Sequence, residues 1–413
     1  MNDEFTPENG GPKENETQKR GGRKISVLVF VVSLFLAVVI TGLSCFAVFS
    51  RAISKEHENL GFLREVQRLD SMYRQYYVGN IDYDLITERL LRTYVASIDK
   101  YGYYLSGDEY SELVDSLNSS SSGMGVYVVE RINGVEIVHI MANSPAEKAG
   151  LQVGDVIYKS NGVYYSEMSY SDFVGHCRGE EGTTGTVEFI RDGEAYSTEI
   201  TYSKFYIETV FRKNLGDGVG YILVISFDDG TASDFRKAVE DLKSVGCDRI
   251  IFDLRGNGGG RLDTVINMLD YIMGEGVIVT ITDSEGKVVE SYSSDPSDAI
   301  GDMPVAVLIN GGTASASELF ACALRDSKDA LLVGENSYGK GTMQLIMSFG
   351  GGAGVGITTN FFNPPKTPNF DGVGLAPDIE AHLTTEGQYY SIFTRPYEAD
   401  AQLQAAVEAI KAK

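Results

Sequence analysis

The sequence predicts a multidomain chain with an N-terminal transmembrane helix, a helical segment, a β-rich unit with short helices, and an α/β core. Residues 25–50 contain no charged side chain, and apolar residues recur at three- and four-residue steps from 60 to 117. From Val219 onward, short apolar runs of strand type alternate with helical runs, which is typical of α/β folds. With 413 residues, the chain is long enough for two or three folded units.

The uncharged run 25–50 is predicted to cross a membrane once. At a rise of 1.5 Å per residue, its 26 residues are long enough for a hydrocarbon core of about 30 Å. More basic residues lie just before the run than just after it: Lys19, Arg20, Arg23 and Lys24 precede it, and Arg51 and Lys55 follow it. Because basic residues favour the cytoplasmic side, we expect a single-pass anchor in the cell membrane, with the N-terminus in the cytoplasm and the rest of the chain outside it.

The chain is predicted to divide into five segments, and the bounds of the last two follow from resemblances described below. They are a polar cytoplasmic tail at 1–24, the transmembrane helix at 25–50, the helical segment at 51–118, the β-rich unit at 119–203 and the α/β core at 204–413.

Charge and composition argue against several classes of function. The chain has 35 Lys and Arg against 58 Asp and Glu, a net charge of −23, so nucleic acid is not expected as a partner. Its four cysteines and four histidines are scattered, with the spacing of neither a zinc site nor a dense disulfide framework. We therefore expect no metal and no cofactor.

A serine at the start of a predicted helix is the first candidate for chemistry. The strand-like run 304–310 is broken by two glycines, and helical spacing resumes after Ser315. Ser315 is therefore predicted to lie where a strand leads into a helix. The alternative is that Ser315-x-x-Glu318 is only a capping box, in which the two side chains satisfy backbone N–H groups.

Lys340 follows Ser315 after 25 residues, in a glycine-bounded turn, with no histidine between them. A neutral, desolvated lysine can remove the proton of a serine hydroxyl, so the pair indicates a Ser–Lys dyad. Two other motifs overlap this lysine. The phosphate-loop pattern fails because Gly341 stands where Ser or Thr would bind magnesium, and Ser337-x-x-Lys340 lacks the helix and partner motifs of penicillin-binding enzymes. A triad that uses His382 is a further alternative.

Three blocks of sequence carry a family resemblance: DLRGNGGG from Asp253, NGGTASASE from Asn310 and SYGKGTMQ from Ser337. They resemble the signature blocks of the C-terminal processing peptidases, also called tail-specific proteases, in the family's order and at about its spacing. The resemblance implies an α/β serine-protease core of the tail-specific protease type.

The same resemblance implies roles for individual residues in these blocks. Ser315 would be the nucleophile, Lys340 the general base and Gln344 the residue that orients the lysine, while Ser317 would be structural. A lysine titrates near 10.4 in water, so a base working near neutrality needs a pKa lower by roughly 3 units, which burial must supply. On a strand, Lys340 and Gln344 share one face, while the other face carries Met343 and Leu345 and could pack against the core.

The tetrahedral intermediate of such a reaction needs two N–H donors. The backbone of Ala316 is one candidate, because it follows the nucleophile at a helix N-terminus. The resemblance implies that the second donor comes from the glycine turn after DLRGN, at Gly259 or Gly260.

A second resemblance covers the β-rich unit. SSSSGMGVYVV, ANSPAEKAGLQVGDVIYKSNGV and RGEEGTTGTVEFIRDG look like a PDZ domain of the bacterial protease type. The turn at Gly123, Met124 and Gly125 leaves N–H groups free for a peptide carboxylate, and the edge strand that continues through Val126 can pair with an extended chain. The resemblance also implies that Arg178 couples this domain to the active site. The alternatives are a structural spacer and a solvated surface arginine.

The helical segment contains SIDKYGYYLSGDEY, which resembles the family's block in this region, with Lys100 and Gly102 in place of the usual proline and serine. The family often dimerises through this segment, so a homodimer is an expected partner. The sequence as a whole predicts a membrane-anchored, extracytoplasmic serine endopeptidase that cleaves proteins with exposed apolar C-terminal tails. The alternative from a different class is an inactive PDZ-bearing scaffold, which has no reason to keep Ser315, Lys340 and Gln344 together.

Overall fold

The computed structural model describes residues 60–413. The predicted tail at 1–24 and the predicted transmembrane helix at 25–50 lie outside the described residues. Within the described part of the chain, no helix is long and apolar enough to cross a membrane. The described residues divide into two units, one that ends at Tyr83 and one that comprises Asp84–Lys413.

The helical segment forms three helices and one short strand. These are α1, Leu60–Tyr76, α2, Tyr83–Ile98, β1, Tyr103–Leu105, and α3, Gly107–Leu117. Ser106 caps α3 and starts a reciprocal capping box with the carboxylate three residues into the helix. The helical periodicity of this region is therefore confirmed.

The β-rich unit is an antiparallel sheet with two short helices. Its strands are β2, Ser120–Gly123, β3, Val126–Arg131, β4, Gly134–Ile140, β5, Val156–Ser160, β6, Val163–Tyr164, β7, Thr184–Arg191, β8, Glu194–Thr201, and β9, Ser203–Tyr206. Its helices are α4, Pro145–Lys148, and α5, Tyr170–His176. The sheet order is β3-β4-β5-β7-β8, with β6 paired to β5 and a separate β2-β9 ribbon. β3 is thus an edge strand, as predicted.

The α/β core contains ten further strands and five helices. The strands are β10, Val210–Asn214, β11, Val219–Val224, β12, Arg249–Asp253, β13, Gly276–Thr282, β14, Val288–Ser294, β15, Val305–Ile309, β16, Leu331–Gly334, β17, Thr342–Ser348, β18, Gly354–Asn363, and β19, Ile379–Glu380. The helices are α6, Thr231–Ser244, α7, Leu262–Met273, α8, Ala316–Lys328, α9, Thr385–Tyr389, and α10, Ala401–Lys411.

Two sheets organise the core. The larger has the order β10-β11-β12-β15-β16-β19 and is parallel except for the antiparallel pair β10-β11. The other is antiparallel, and its long strand β18 pairs with β17, β13 and β1. Through β1, the helical segment contributes a strand to the sheet that carries the lysine block.

Helices cover both faces of the parallel sheet, which is why its central strands are continuously apolar. In β12, Phe252 packs in the cluster that contains α6, α7 and α8, whereas its neighbour Ile251 packs in the cluster that contains α10. All five residues of β15 are buried.

A buried charge network joins the end of β12 to the start of α10. Arg255, only 5% exposed, donates from Nη2 to Asp253 Oδ2 at 2.5 Å and to Asp400 Oδ2 at 2.8 Å, and from Nη1 to Gln402 Oε1 at 3.0 Å. Two buried carboxylates therefore share one guanidinium, which satisfies charges that would be costly if left alone.

Replacing Arg255 with methionine should lower the free energy of unfolding by about 3–5 kcal/mol, because Asp253 would remain buried without its cation and Asp400 would keep only the longer contact with Arg395, at 3.6 Å. Chemical denaturation measures this loss. The matched control is Arg212→Met, which breaks the exposed Arg212–Asp241 pair and should cost less than about 1 kcal/mol. Equal losses in the two variants would contradict the structural role of the network.

Candidate active site

The three signature blocks follow three neighbouring parallel strands, β12, β15 and β16, so they meet at the carboxyl edge of the sheet. Backbone hydrogen bonds tie the three turns together. Ala314 N–H donates to Asn257 O at 3.0 Å, and Tyr338 N–H donates to Thr313 O at 2.9 Å. Residues that lie far apart in sequence are thereby brought to one site.

Ser315 lies at the start of α8 in a strained conformation. Its φ of 58° and ψ of −118° place a side chain in a region that residues other than glycine rarely adopt, and such strain is typical of functional positions. The residue is half-buried. Ser317, by contrast, is fully buried, and its Oγ forms no hydrogen bond within the described residues. Of the two serines, only Ser315 is open to a substrate.

Glu318 accepts the N–H of Ser315 at 2.9 Å through Oε2, as the capping-box interpretation predicted. The same carboxylate also accepts the Lys340 N–H, at 2.8 Å. Ser315 can therefore take part in a capping box and in the predicted dyad at the same time, because one glutamate contacts the backbone of both predicted catalytic residues.

Lys340 is half-buried in the turn before β17. Its Nζ donates to Gln344 Oε1 at 2.5 Å and lies 5.6 Å from the centre of the Tyr101 ring. Burial lowers the pKa of the Lys340 ammonium, while the charge of Asp99 opposes this shift. The direction is the one that a lysine base requires.

Gln344 is held by a second contact, from its Nε2 to the backbone oxygen of Tyr101. Because that carbonyl can only accept a hydrogen bond, the amide NH2 of Gln344 must face it, and its oxygen is left to face Lys340. Gln344 thus bridges Lys340 Nζ and the backbone of Tyr101, and its role as the orienting residue stays a prediction.

The prediction that Met343 and Leu345 form an apolar face of β17 that packs against the core is only half correct. Met343 packs against the core cluster, but Leu345 is 49% exposed. The register between β17 and β18 shifts between Met343 and Gln344, and this irregularity interrupts the simple alternation on which the prediction relied.

The glycine turn lies against the serine. A side chain built at Gly259, whose φ is +106°, would place its Cβ 3.0 Å from Ser315 Cβ, so only glycine fits here. The Gly259 N–H donates to Asn257 Oδ1 at 2.8 Å, so this predicted oxyanion donor is engaged in the structure. Gly260 N–H makes no hydrogen bond within the described residues. Ala316, the other predicted donor, is the first residue of α8.

His382 does not contact Ser315. Its ring is exposed, and its two nitrogens face Glu335 Oε1 at 3.2 Å and Glu380 Oε1 at 3.1 Å. The histidine-triad alternative therefore has no support in the geometry.

A groove of about 660 Å³ lies beside the edge strand β3 of the β-rich unit. Four of the five predicted peptide-binding residues line it: Gly123, Met124, Val126 and Arg178. The fifth, Gly125, is buried behind the groove, where an added Cβ would lie 2.4 Å from Ser144 Cβ.

Two contributors to these sites were missed by the sequence analysis, Tyr101 and helix α3. The backbone oxygen of Tyr101 accepts a hydrogen bond from Gln344, and its hydroxyl lies within hydrogen-bond distance of Gly339 O, at 2.8 Å, and of Asp371 Oδ1, at 2.9 Å. Helix α3 lines one side of the groove, where Glu112 pairs with Arg178. For Tyr101, the family-like block SIDKYGYYLSGDEY was the available signal.

Comparisons with known proteins agree with both resemblances. The model of peptidase family S41 matches residues 218–381, and a PDZ domain model matches 122–201. The chain is 31% identical over 325 residues to the carboxyl-terminal-processing protease of Synechocystis sp., and this alignment covers 76% of this chain and 74% of that protein. It is 28% identical over 365 residues to the carboxy-terminal processing protease CtpA of Bacillus subtilis, and the alignment covers 87% of this chain and 78% of that protein.

A solved structure shares the fold. A putative S41 protease from Bacteroides fragilis aligns with a TM-score of 0.58 at 19% identity, over 83% of this chain and 96% of the other.

Proposed function

The chain belongs to the C-terminal processing peptidases of family S41, with a PDZ domain, and on that basis we propose that Ser315 and Lys340 are the catalytic dyad of an endopeptidase that cleaves protein tails. That the enzyme is a serine peptidase follows from the family. The observation that carries the assignment of the base is the half-buried Lys340: Gln344 holds its Nζ, and its backbone N–H donates to the same Glu318 oxygen as the N–H of Ser315.

In the proposed mechanism, neutral Lys340 takes the hydroxyl proton of Ser315 as Oγ attacks the scissile carbonyl carbon. A neutral amine has two hydrogens and one lone pair. Donation of one hydrogen to Gln344 Oε1 directs the amine, so its lone pair is available to the serine. Lys340 then passes the proton to the leaving amine, and water hydrolyses the acyl-enzyme with the lysine as base again.

The oxyanion of the tetrahedral intermediate would be bound by backbone N–H groups. Ala316 N–H, at the N-terminus of α8, benefits from the helix dipole. The second donor would come from the glycine turn. Gly259 can serve only if it releases Asn257 Oδ1, whereas Gly260 N–H is already without a hydrogen-bond partner in the described structure.

The PDZ groove is proposed to bind the substrate's C-terminal tail by strand addition to β3. Its lining is more apolar than polar, with Met124, Val126, Val174 and Phe205 among the contributing side chains. Its charged members are three acidic residues, Glu109, Glu112 and Asp228, and one arginine, Arg178, which pairs with Glu112. Apolar tails should therefore bind better than acidic ones.

Amidating the C-terminus of a tail peptide should lower its kcat/KM by about tenfold or more, because the peptide would lose the charged carboxylate that accepts hydrogen bonds from the N–H groups of the groove. Replacing the last residues of the peptide with Asp should lower kcat/KM as well, since the acidic lining repels them. Steady-state cleavage of the matched peptides by the full-length enzyme measures both effects.

Val174→Asp, a change within the groove, should make the enzyme indifferent to tail chemistry. The matched control is Val153→Asp, at a residue that is 53% exposed and outside the groove lining, and it should keep the preference. Equal rates for free, amidated and acidic tails in the unmodified enzyme would instead support the structural-spacer interpretation.

We further propose that residues 25–50 anchor the enzyme in the cell membrane with its catalytic part outside the cytoplasm. The support is the uncharged length of that run and the basic residues that precede it. Dimerisation through the helical segment is proposed from the family resemblance, and α1 carries exposed Leu69 and Met72 that fit such a contact.

A further inference from the structure

The carboxylate of Glu318 is fully buried and accepts four hydrogen bonds. Oε2 accepts from Ser315 N–H at 2.9 Å and from Lys340 N–H at 2.8 Å. Oε1 accepts from Ser337 Oγ at 2.5 Å and from Gly339 N–H at 2.7 Å. All four donors are uncharged groups, so the carboxylate is stabilised by hydrogen bonds alone.

These four bonds join two turns that belong to different strands. Ser315 ends the turn after β15, whereas Ser337, Gly339 and Lys340 form the turn after β16. The carboxylate is therefore the link between the nucleophile's backbone and the backbone of the proposed base. A side chain with fewer acceptors could not satisfy both turns at once.

A capping interaction alone does not account for this arrangement. A helix cap needs one oxygen for the N-cap N–H, and a cap can be made by an exposed glutamate, as Glu109 shows at α3. Burying a carboxylate is unfavourable unless its acceptors are used. At Glu318, three of the four donors come from the lysine turn, not from the helix.

We propose that Glu318 is a positioning residue that fixes Lys340 relative to Ser315, so that the lysine amine stays within reach of the serine hydroxyl. This inference rests on the proposed Ser–Lys dyad. Glu318 does not touch substrate. It acts through the backbone atoms of the two residues, and its effect should therefore appear in the chemical step and not in substrate binding.

Glu318→Gln in the full-length enzyme tests the proposal. The amide keeps size and shape but presents an NH2 group to N–H donors, which pushes the two turns apart. We expect kcat to fall by about 100-fold, the loss associated with misplacing catalytic groups by about 1 Å, while KM changes less than about threefold. Glu318→Asp keeps the charge but shortens the reach, and should give an intermediate kcat.

The pH profile separates positioning from a merely structural role. If the lysine turn moves outward, Lys340 becomes better solvated, and the rising limb of kcat/KM should shift to higher pH in Glu318→Gln. Ile272→Ala, which makes a cavity in the same core at a fully buried residue of α7, is the stability control. Ile272→Ala should lower the melting temperature and leave the rising limb of kcat/KM at the same pH as in the unmodified enzyme.

These experiments distinguish failure of the positioning proposal from failure of the proposed Ser–Lys dyad. If Ser315→Ala stays active, the proposed function is wrong and Glu318 has no pair to position. If Ser315→Ala and Lys340→Arg are inactive but Glu318→Gln and Glu318→Asp keep full kcat and an unshifted limb, only the positioning proposal is overturned. If Glu318→Gln does not fold, the kcat and pH limb of Glu318→Asp decide in the same way.

Discussion

Replacing Ser315 with alanine should lower kcat/KM for a tail peptide by about 10⁴-fold or more, because the acyl-enzyme can no longer form. Ser315 is the half-buried serine in the strained turn, next to the glycine turn that would supply an oxyanion donor. The loss should appear in steady-state cleavage, and a fluorophosphonate probe should no longer label the protein.

Ser317→Ala is the matched control for this prediction. The Ser317 hydroxyl is fully buried and has no hydrogen-bond partner in the described residues, so alanine removes an unsatisfied polar group at nearly constant volume. Its activity should stay within about tenfold of the parent. Equal losses in the two variants, or activity that survives in Ser315→Ala, would show that the nucleophile is misassigned.

Lys340→Arg should be as inactive as Lys340→Met, although arginine keeps the positive charge. Only the neutral amine can accept a proton from Ser315, and a guanidinium stays protonated at any pH the protein tolerates. Both losses should reach about 10³-fold or more in kcat/KM. Lys328→Arg is the control, because Lys328 lies outside the site and pairs with Asp298.

The pH dependence follows from the same lysine. Burial lowers the pKa of Lys340, and the active form is the deprotonated one, so kcat/KM should rise as pH rises through that pKa and fall as pH drops below it. A profile of kcat/KM against pH, measured with a peptide that has no titratable side chains, reports this rise. Activity that increases toward acidic pH would contradict a lysine base.

Local sequence patterns predicted the parts of the site that each block carries by itself. The strand-to-helix position of Ser315, the turn of Lys340 and the neighbouring Gln344 all lie within short runs, and the parallel sheet brings the blocks to one edge as α/β topology requires. The edge position of β3, beside the groove, was likewise expected from the resemblance of its segment to a PDZ domain.

What the sequence could not show were contacts between distant segments. Gln344 Nε2 bonds to Tyr101 O across 243 residues, and no periodicity links those positions. Asn257, whose side chain engages the Gly259 N–H, is itself held by Val224 O, 33 residues away, and the exposure of Leu345 follows a register shift that only the paired strand reveals. Glu318 fitted a local capping motif, and its three bonds to the lysine turn required the fold.

The pairing of β1 with β18 joins residues 103–105 to residues 354–356, so the sheet that carries β17 is complete only when residues 103–105 have folded onto it. β1 closely follows Tyr101, whose backbone oxygen accepts a hydrogen bond from Gln344 and whose ring lies beside Lys340 Nζ. If Lys340 is the base, as proposed, loss of this strand pairing should expose its amine to water and favour the protonated, inactive form. The activity of the enzyme should therefore depend on a strand that lies more than 200 residues before the lysine in sequence.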